Sequence, residues 1–328
     1  MGEFELLARL RKRLPPTGPR VRVGSGDDAA VTVPGGATAT SVDAIVDGVH
    51  FRRAKAPPQL IGRKALATAL SDLAAMGAEA GEAYVALGAP PDLGEAEFEA
   101  LLDGLLALAA ETGTTLAGGD LTRAPALTLA VTVVGHAPGS EDLVSRSGAR
   151  PGDLLVVTGE LGGAAAGRLL LEQPELAEGL TESIAERLRS RQLDPTPRLR
   201  SGLVLAAAGA TAMIDLSDGL AGDAAHVAAS SGVALRIEAG SLPLAKGVAE
   251  VAAAVGRNPL EVAASGGEDY ELLAALPPER LEDALTRIGE TAETTLTPIG
   301  EVLEGEGVEL RLPGGGLLQS RGYDHFGD

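Results

Sequence analysis

The sequence contains no cysteine and no tryptophan, and only seven of its 328 residues are phenylalanine or tyrosine. Without cysteine there is no disulfide, no thiolate zinc site and no cysteine nucleophile. Lysine is almost as scarce, with Lys12, Lys55, Lys64 and Lys246 the only four. Acids outnumber bases 46 to 27, for a net charge of −19. Nucleic acids and anionic membranes both require a basic footprint, so neither is an expected partner. No run of eighteen apolar residues occurs, and no membrane-spanning helix is expected. The opening Met1-Gly2-Glu3-Phe4-Glu5 lacks the basic-then-apolar profile of a secretion signal, so a cytoplasmic location is expected. There is no G-x-x-x-x-G-K-[ST] loop, Ser217 lacks a G-x-S-x-G elbow, and no Ser/His pairing stands out.

What is present suits two packed cores. At this length two domains are the natural expectation, and a hydrophobic fraction of 45% is enough to bury both. Short β-type runs at 29–33, 38–46, 83–87 and 127–135 alternate with helical stretches at about 58–76 and 95–111. In the second stretch Phe98, Leu101, Leu102, Leu105 and Leu108 share one face. Turn formers at Ala137-Pro138-Gly139-Ser140 mark a boundary, giving domains 1–138 and 139–328. Beyond it, strands are expected at 153–158, 212–216, 233–238 and 270–275, with a helix from Gly219 to Ser230. The fold class is α/β, of α+β character.

Five aspartate sites stand beside glycine or small residues: Gly24-Ser25-Gly26-Asp27-Asp28, Ser41-Val42-Asp43, Ser71-Asp72, Gly118-Gly119-Asp120 and Asp215-Leu216-Ser217-Asp218-Gly219. All but Asp72 are expected at strand ends or helix starts, where an aspartate is equally an N-cap or turn residue. Asp72 falls inside an apolar helical run, where no cap is needed. Magnesium takes one or two carboxylates together with phosphate oxygens, so several such sites imply several ions handling a nucleoside triphosphate. Gly24–Ala29 formally fits the dinucleotide pattern G-x-G-x-x-G/A, but two acids would repel a pyrophosphate there.

Longer stretches carry a resemblance to a known family. They are Gly26-Asp27-Asp28-Ala29-Ala30, Asp47-Gly48-Val49-His50-Phe51, Ser71-Asp72-Leu73-Ala74-Ala75-Met76-Gly77-Ala78, Arg146-Ser147-Gly148-Ala149-Arg150-Pro151-Gly152-Asp153, Gly266-Gly267-Glu268-Asp269-Tyr270-Glu271-Leu272 and Gly322-Tyr323-Asp324-His325-Phe326. Together with Gly118-Gly119-Asp120 and Ile214–Leu220, they resemble the thiamine-monophosphate kinase family, in the wider superfamily similar to aminoimidazole ribonucleotide synthetase. The resemblance implies that fold, with an N-terminal mixed sheet pairing across a homodimer and a C-terminal α/β domain. It implies Mg²⁺-dependent transfer of the ATP γ-phosphoryl to thiamine monophosphate, giving thiamine diphosphate and ADP. By the same resemblance Asp28, Ser41, Val42 (through its backbone), Asp43, Asp72, Asp120, Asp215 and Asp218 match the magnesium ligands. Gly119, Asp120, Arg146 and Ser217 match the ATP contacts, and His50, Glu268 and Tyr323 the thiamine-monophosphate contacts. The family often carries Ser or Thr at position 42, where Val42 offers no side-chain ligand. Two other readings remain at this point: an ATP-dependent cyclase or dehydratase of the same superfamily, and a non-catalytic acidic metal- or nucleotide-binding protein. The kinase reading needs no catalytic base or covalent nucleophile, because a phosphate acceptor is already largely dianionic near neutrality.

Overall fold

The structure is a computed structural model that describes residues 12–14, 18–25, 29–291 and 293–318. Asp28 and Tyr323 therefore lie outside the described residues. The chain divides into two compact units, one drawn from Met1–Leu73 and Ala78–Ser140, the other from Ala74–Gly77 and Glu141–Asp328.

The first unit is built on a four-stranded mixed sheet with the order β3-β6-β4-β5, where β3 is Ala37–Val46, β4 Glu79–Ala89, β5 Thr115–Arg123 and β6 Thr128–Ala137. Strand β6 runs antiparallel to both β3 and β4, and β5 runs parallel to β4. A small antiparallel pair, β1 (Val21–Val23) and β2 (Val31–Thr32), precedes it. The period-two run in β6 buries Leu129, Val131 and Val133 on one face. Helices α1 (Pro58–Ala75) and α2 (Glu95–Thr112) connect β3 to β4 and β4 to β5. The five apolar residues named above on α2 are all buried, and Gly113 closes the helix in the left-handed conformation. The two helices touch through glycines: a Cβ on Gly62 would lie 1.9 Å from Leu101 O, and one on Gly104 1.7 Å from Gln59 O.

The second unit holds a six-stranded sheet with the order β12-β9-β11-β7-β10-β8. Its strands are β7 Leu154–Thr158, β8 Ala212–Asp215, β9 Ala234–Glu238, β10 Leu272–Leu276, β11 Leu296–Leu303 and β12 Gly307–Arg311. The pairing is antiparallel except for β12 on β9. Alternation along β7 divides two cores. Leu155 and Val157 pack with α6 (Leu220–Ser231), while Val156 packs with α5 (Leu199–Ala208), α9 (Leu281–Thr291), Ala74 and Ala75. A third cluster joins α3 (Gly163–Glu172), α4 (Glu182–Leu193), α7 (Val248–Ala254) and α8 (Pro259–Ser265). Among the described residues no helix is long and apolar enough to cross a membrane.

Candidate functional site

Candidate residues fall in both units, and each group has its own local architecture. In the first unit Ser41 and Asp43 occupy alternate positions of β3. Ser41 Oγ donates to Asp72 Oδ2 on α1, which accounts for an acid inside that helix. Val42, between them, is 66% exposed on the opposite side, as strand alternation requires. Along α1, Lys64, Thr68 and Ser71 are buried at helical spacing with Asp72, making one polar stripe.

Asp43 and Asp120 lie within strands rather than at strand ends, contrary to the sequence expectation. The register aligns Asp43 with Val131, Val131 with Val85, and Val85 with Gly119. Asp43 and Gly119-Asp120 thus stand on the two edge strands, three strand spacings apart, about 14 Å. Within this unit the sheet does not bring them together.

His50 closes a tight loop after β3. Val46 N donates to His50 Nδ1 at 3.1 Å, so the proton of the neutral ring resides on Nε2. Lys64 Nζ reaches His50 O at 3.4 Å, and Arg53 N donates to Asp47 Oδ1 at 2.9 Å, securing the loop from both sides.

In the second unit β8 delivers Asp215, 6% exposed, and the chain turns through Ser217 and Asp218 into α6. Gly219 is required at that turn. Its φ is +100°, and a Cβ would lie 2.9 Å from Ser265 C. One turn into α6, Asp223 is 2% exposed and accepts from Asp218 N at 3.2 Å. Burial, then the charges of Asp215 and Asp218, push the Asp223 carboxyl up to about 8. Asp223 was missed from the sequence, although a buried acid in the apolar helix Leu220–Ala228 is the same signal that singled out Asp72. Glu268 lies beside this turn: its N donates to Ser217 O at 2.8 Å, and its carboxylate accepts from Gln192 Nε2. Arg146 is exposed on a loop fastened to β8 by Met213 N to Ser145 O at 3.0 Å and to the end of α6 by Ser231 Oγ to Arg146 O at 3.4 Å. The unit therefore gathers Asp215, Ser217, Asp218, Asp223 and Glu268, with Arg146 further back along β8.

These donors are carboxylate, hydroxyl and carbonyl oxygens, the set a hard cation such as Mg²⁺ prefers. The mutual repulsion of Asp215, Asp218 and Asp223 is a second sign that a cation fits there. Among the described residues no three His, Asp or Glu side chains converge as a ready-made ion cage. Magnesium that shares its shell with phosphates and water needs only one or two carboxylates from the protein.

Comparison with known proteins follows the same lines. Residues 26–137 match the family of AIR synthase related protein, N-terminal domain, and residues 150–313 match its C-terminal domain. A thiamine-monophosphate kinase of Mycobacterium tuberculosis is 41% identical over 84% of this chain and 80% of its own length. The crystal structure of thiamine-monophosphate kinase from Stenotrophomonas maltophilia K279a superposes with a TM-score of 0.83 at 39% identity, covering 94% of this chain and 96% of that one. A structure of AaThiL complexed with AMPPCP and TMP superposes with a TM-score of 0.77 at 30% identity, covering 99% and 97%. The two-domain fold and the identity over nearly the whole chain agree, and the protein belongs to the thiamine-monophosphate kinase family, within the AIR synthase related proteins.

Proposed function

We propose that the protein transfers the γ-phosphoryl group of ATP to the phosphate of thiamine monophosphate, forming thiamine diphosphate and ADP. The observation that carries this reading is the identity, 41% and 39%, to thiamine-monophosphate kinases over most of the chain. The AaThiL complex with AMPPCP, an ATP analogue, and TMP supports it. A phosphate oxygen of the acceptor forms a bond to the γ-phosphorus, and the bond from that phosphorus to the β–γ bridging oxygen breaks. The acceptor is largely dianionic near pH 7, its second pKa being about 6, so no side chain has to remove a proton. The work left for the protein is alignment and charge neutralisation.

Asp28, Ser41, the Val42 carbonyl, Asp43, Asp72, Asp120, Asp215 and Asp218 are the residues that would hold magnesium, with several ions per site. When bound, Mg²⁺ neutralises the facing phosphates. Gly119, Asp120, Arg146 and Ser217 take the nucleotide. His50, Glu268 and Tyr323 take the acceptor. His50 serves as a neutral Nε2–H donor, because its Nδ1 already accepts from Val46 N. That arrangement gives it a binding role, and Glu268 supplies a negative charge for the cationic thiazolium.

The protein acts as a homodimer in the cytoplasm. Asp43 and Asp120 are both assigned to magnesium, yet they occupy opposite edges of the four-stranded sheet. A second copy that pairs β3 with β5 edge to edge would put Asp43 of one subunit and Asp120 of the other on adjacent strands, and satisfies two sheet edges at once. The direct test is a product assay with ATP, Mg²⁺ and thiamine monophosphate. Thiamine diphosphate and ADP in equal amounts are expected; inorganic phosphate without thiamine diphosphate would overturn the reading in favour of a cyclase or dehydratase.

A further inference from the structure

Among the described residues, Glu268 and Tyr270 are the two non-glycine positions with positive φ, 67° and 50°. An L side chain crowds its own backbone in that region, so two such residues one apart persist only where the surroundings over-determine them. The residue between them supplies the constraint. Asp269 is 8% exposed; its Oδ2 accepts from Gly162 N at 2.7 Å and its Oδ1 from Ala164 N at 3.1 Å. Helix α3 has no side-chain cap of its own, since Gly162 stands at its N-cap, and this carboxylate, 107 residues away, takes that place.

The flanking backbone is fastened as well. Glu268 N donates to Ser217 O at 2.8 Å and Tyr270 N to Leu216 O at 2.9 Å. Leu216 N returns a bond to Glu271 O at 2.8 Å. Gly266 and Gly267 permit this closeness, since a Cβ on Gly267 would lie 2.5 Å from Ser217 O. Those bonds are ordinary strand-like contacts and do not by themselves select a left-handed turn. The two-pronged hold on α3 does, because it fixes the direction of Asp269 and thereby sends the side chain before it the other way.

We propose that Asp269 is a positioning residue: its grip on the first turn of α3 holds the left-handed turn that presents Glu268 to the acceptor. This rests on the reading of Glu268 as an acceptor-binding residue. Asp269 itself is buried, with both carboxylate oxygens taken by the α3 amides.

The test is Asp269→Asn. An asparagine has one acceptor oxygen, so it serves one of the two amides and sets its own NH₂ against the other. The expected result is a folded protein whose KM for thiamine monophosphate rises by at least about tenfold, with the KM for ATP within about twofold and kcat within about threefold. In a Glu268→Gln background the same substitution should change the acceptor KM by less than about twofold, because it acts through the carboxylate already removed. An unchanged acceptor KM, equal shifts in both KM values, or an undiminished effect in the Glu268→Gln background overturns the inference. Amide hydrogen exchange gives a readout independent of substrate: protection at Glu268 and Tyr270 should fall in the variant while that of β8 persists, and unaltered protection overturns the inference. Failure of the functional reading shows separately, as a wild-type enzyme that forms no thiamine diphosphate. If Asp269→Asn does not fold, Asp269→Ser is read in the same way, with the same expected direction.

Discussion

Glu271 is 0% exposed and is held by four bonds: from Arg198 Nε at 2.7 Å, Arg198 Nη2 at 2.6 Å, Arg191 Nη1 at 3.0 Å and Thr158 Oγ1 at 2.8 Å. Burial disfavours the Arg198 cation, but the hydrogen bonds and charge of Glu271 outweigh it and raise the guanidinium pKa. Replacing Arg198 with Met keeps the approximate volume and removes two of the four bonds. Removing one partner of a buried pair costs about 3–5 kcal/mol, because the remaining charge keeps its desolvation penalty. For a unit of this size each kcal/mol lowers Tm by about 2–4 °C, so the melting transition of the second unit should fall by roughly 6–20 °C. The assay is thermal unfolding followed by circular dichroism at fixed protein and Mg²⁺ concentration, since ligands shift apparent stability. Adding Glu271→Gln to Arg198→Met should recover part of the loss, although Arg191 then faces a neutral partner. Arg257→Ala, which breaks an exposed helix pair with Glu261, should cost less than about 0.5 kcal/mol. A loss below about 1 kcal/mol for Arg198→Met would refute the reasoning, showing that water reaches Glu271 and solvates it.

Three further outcomes follow. Asp43→Asn and Asp120→Asn should each abolish turnover alone, whereas dimers re-formed from a mixture should recover about a quarter of wild-type activity, since each hybrid rebuilds one intact site; no recovery would sink the shared-site dimer. His50→Asn should raise the KM for thiamine monophosphate more than it lowers kcat, and a collapsed kcat at unchanged KM would contradict the donor role. Burial pushes the Asp269 carboxyl up to about 7, against the pull of the Gly162 and Ala164 amides. From about pH 4 to 7 the folded chain therefore holds a proton that the unfolded chain has released, at the expense of one of the two amide bonds that the ionised carboxylate accepts, and this group's contribution lowers stability as pH rises by up to about 4 kcal/mol. Urea titrations across that range should show the slope in wild type and a shallower one in Asp269→Asn; equal slopes would refute the assignment.

What could be read from the sequence was what periodicity and composition encode. The buried face of α2, the alternation of β6 and the polar interruption at Asp72 are local patterns, and all three stand in the structure as expected. Strand β5 was not anticipated, because Gly118 and Gly119 look like a turn; they are tolerated because β5 is a sheet edge that must leave room beside Val85, where a Cβ on Gly119 would lie 2.2 Å from its carbonyl. Glu271 and Asp269 carried no readable signal. Their partners lie 73 to 113 residues away, and nothing near them in sequence shows that the acids in Gly-Gly-Glu-Asp-Tyr-Glu point in different directions.

That division has a chemical reason. Enzymes that move protons shift the pKa values of the reacting groups themselves, and such groups are often visible as isolated acids or histidines in apolar surroundings. A kinase whose acceptor is a phosphate has little proton chemistry to perform, so its requirement is alignment. In the second unit three buried charges, Asp269 and Glu271 with Arg198, fasten the backbone that carries the residue assigned to the acceptor to α3, β7 and the loop before α5. Their burial is costly, and the hydrophobic core would be simpler without them. On the proposed role of Glu268 they form the rigid backing of its turn, where a small displacement of the acceptor phosphate would lose in-line geometry.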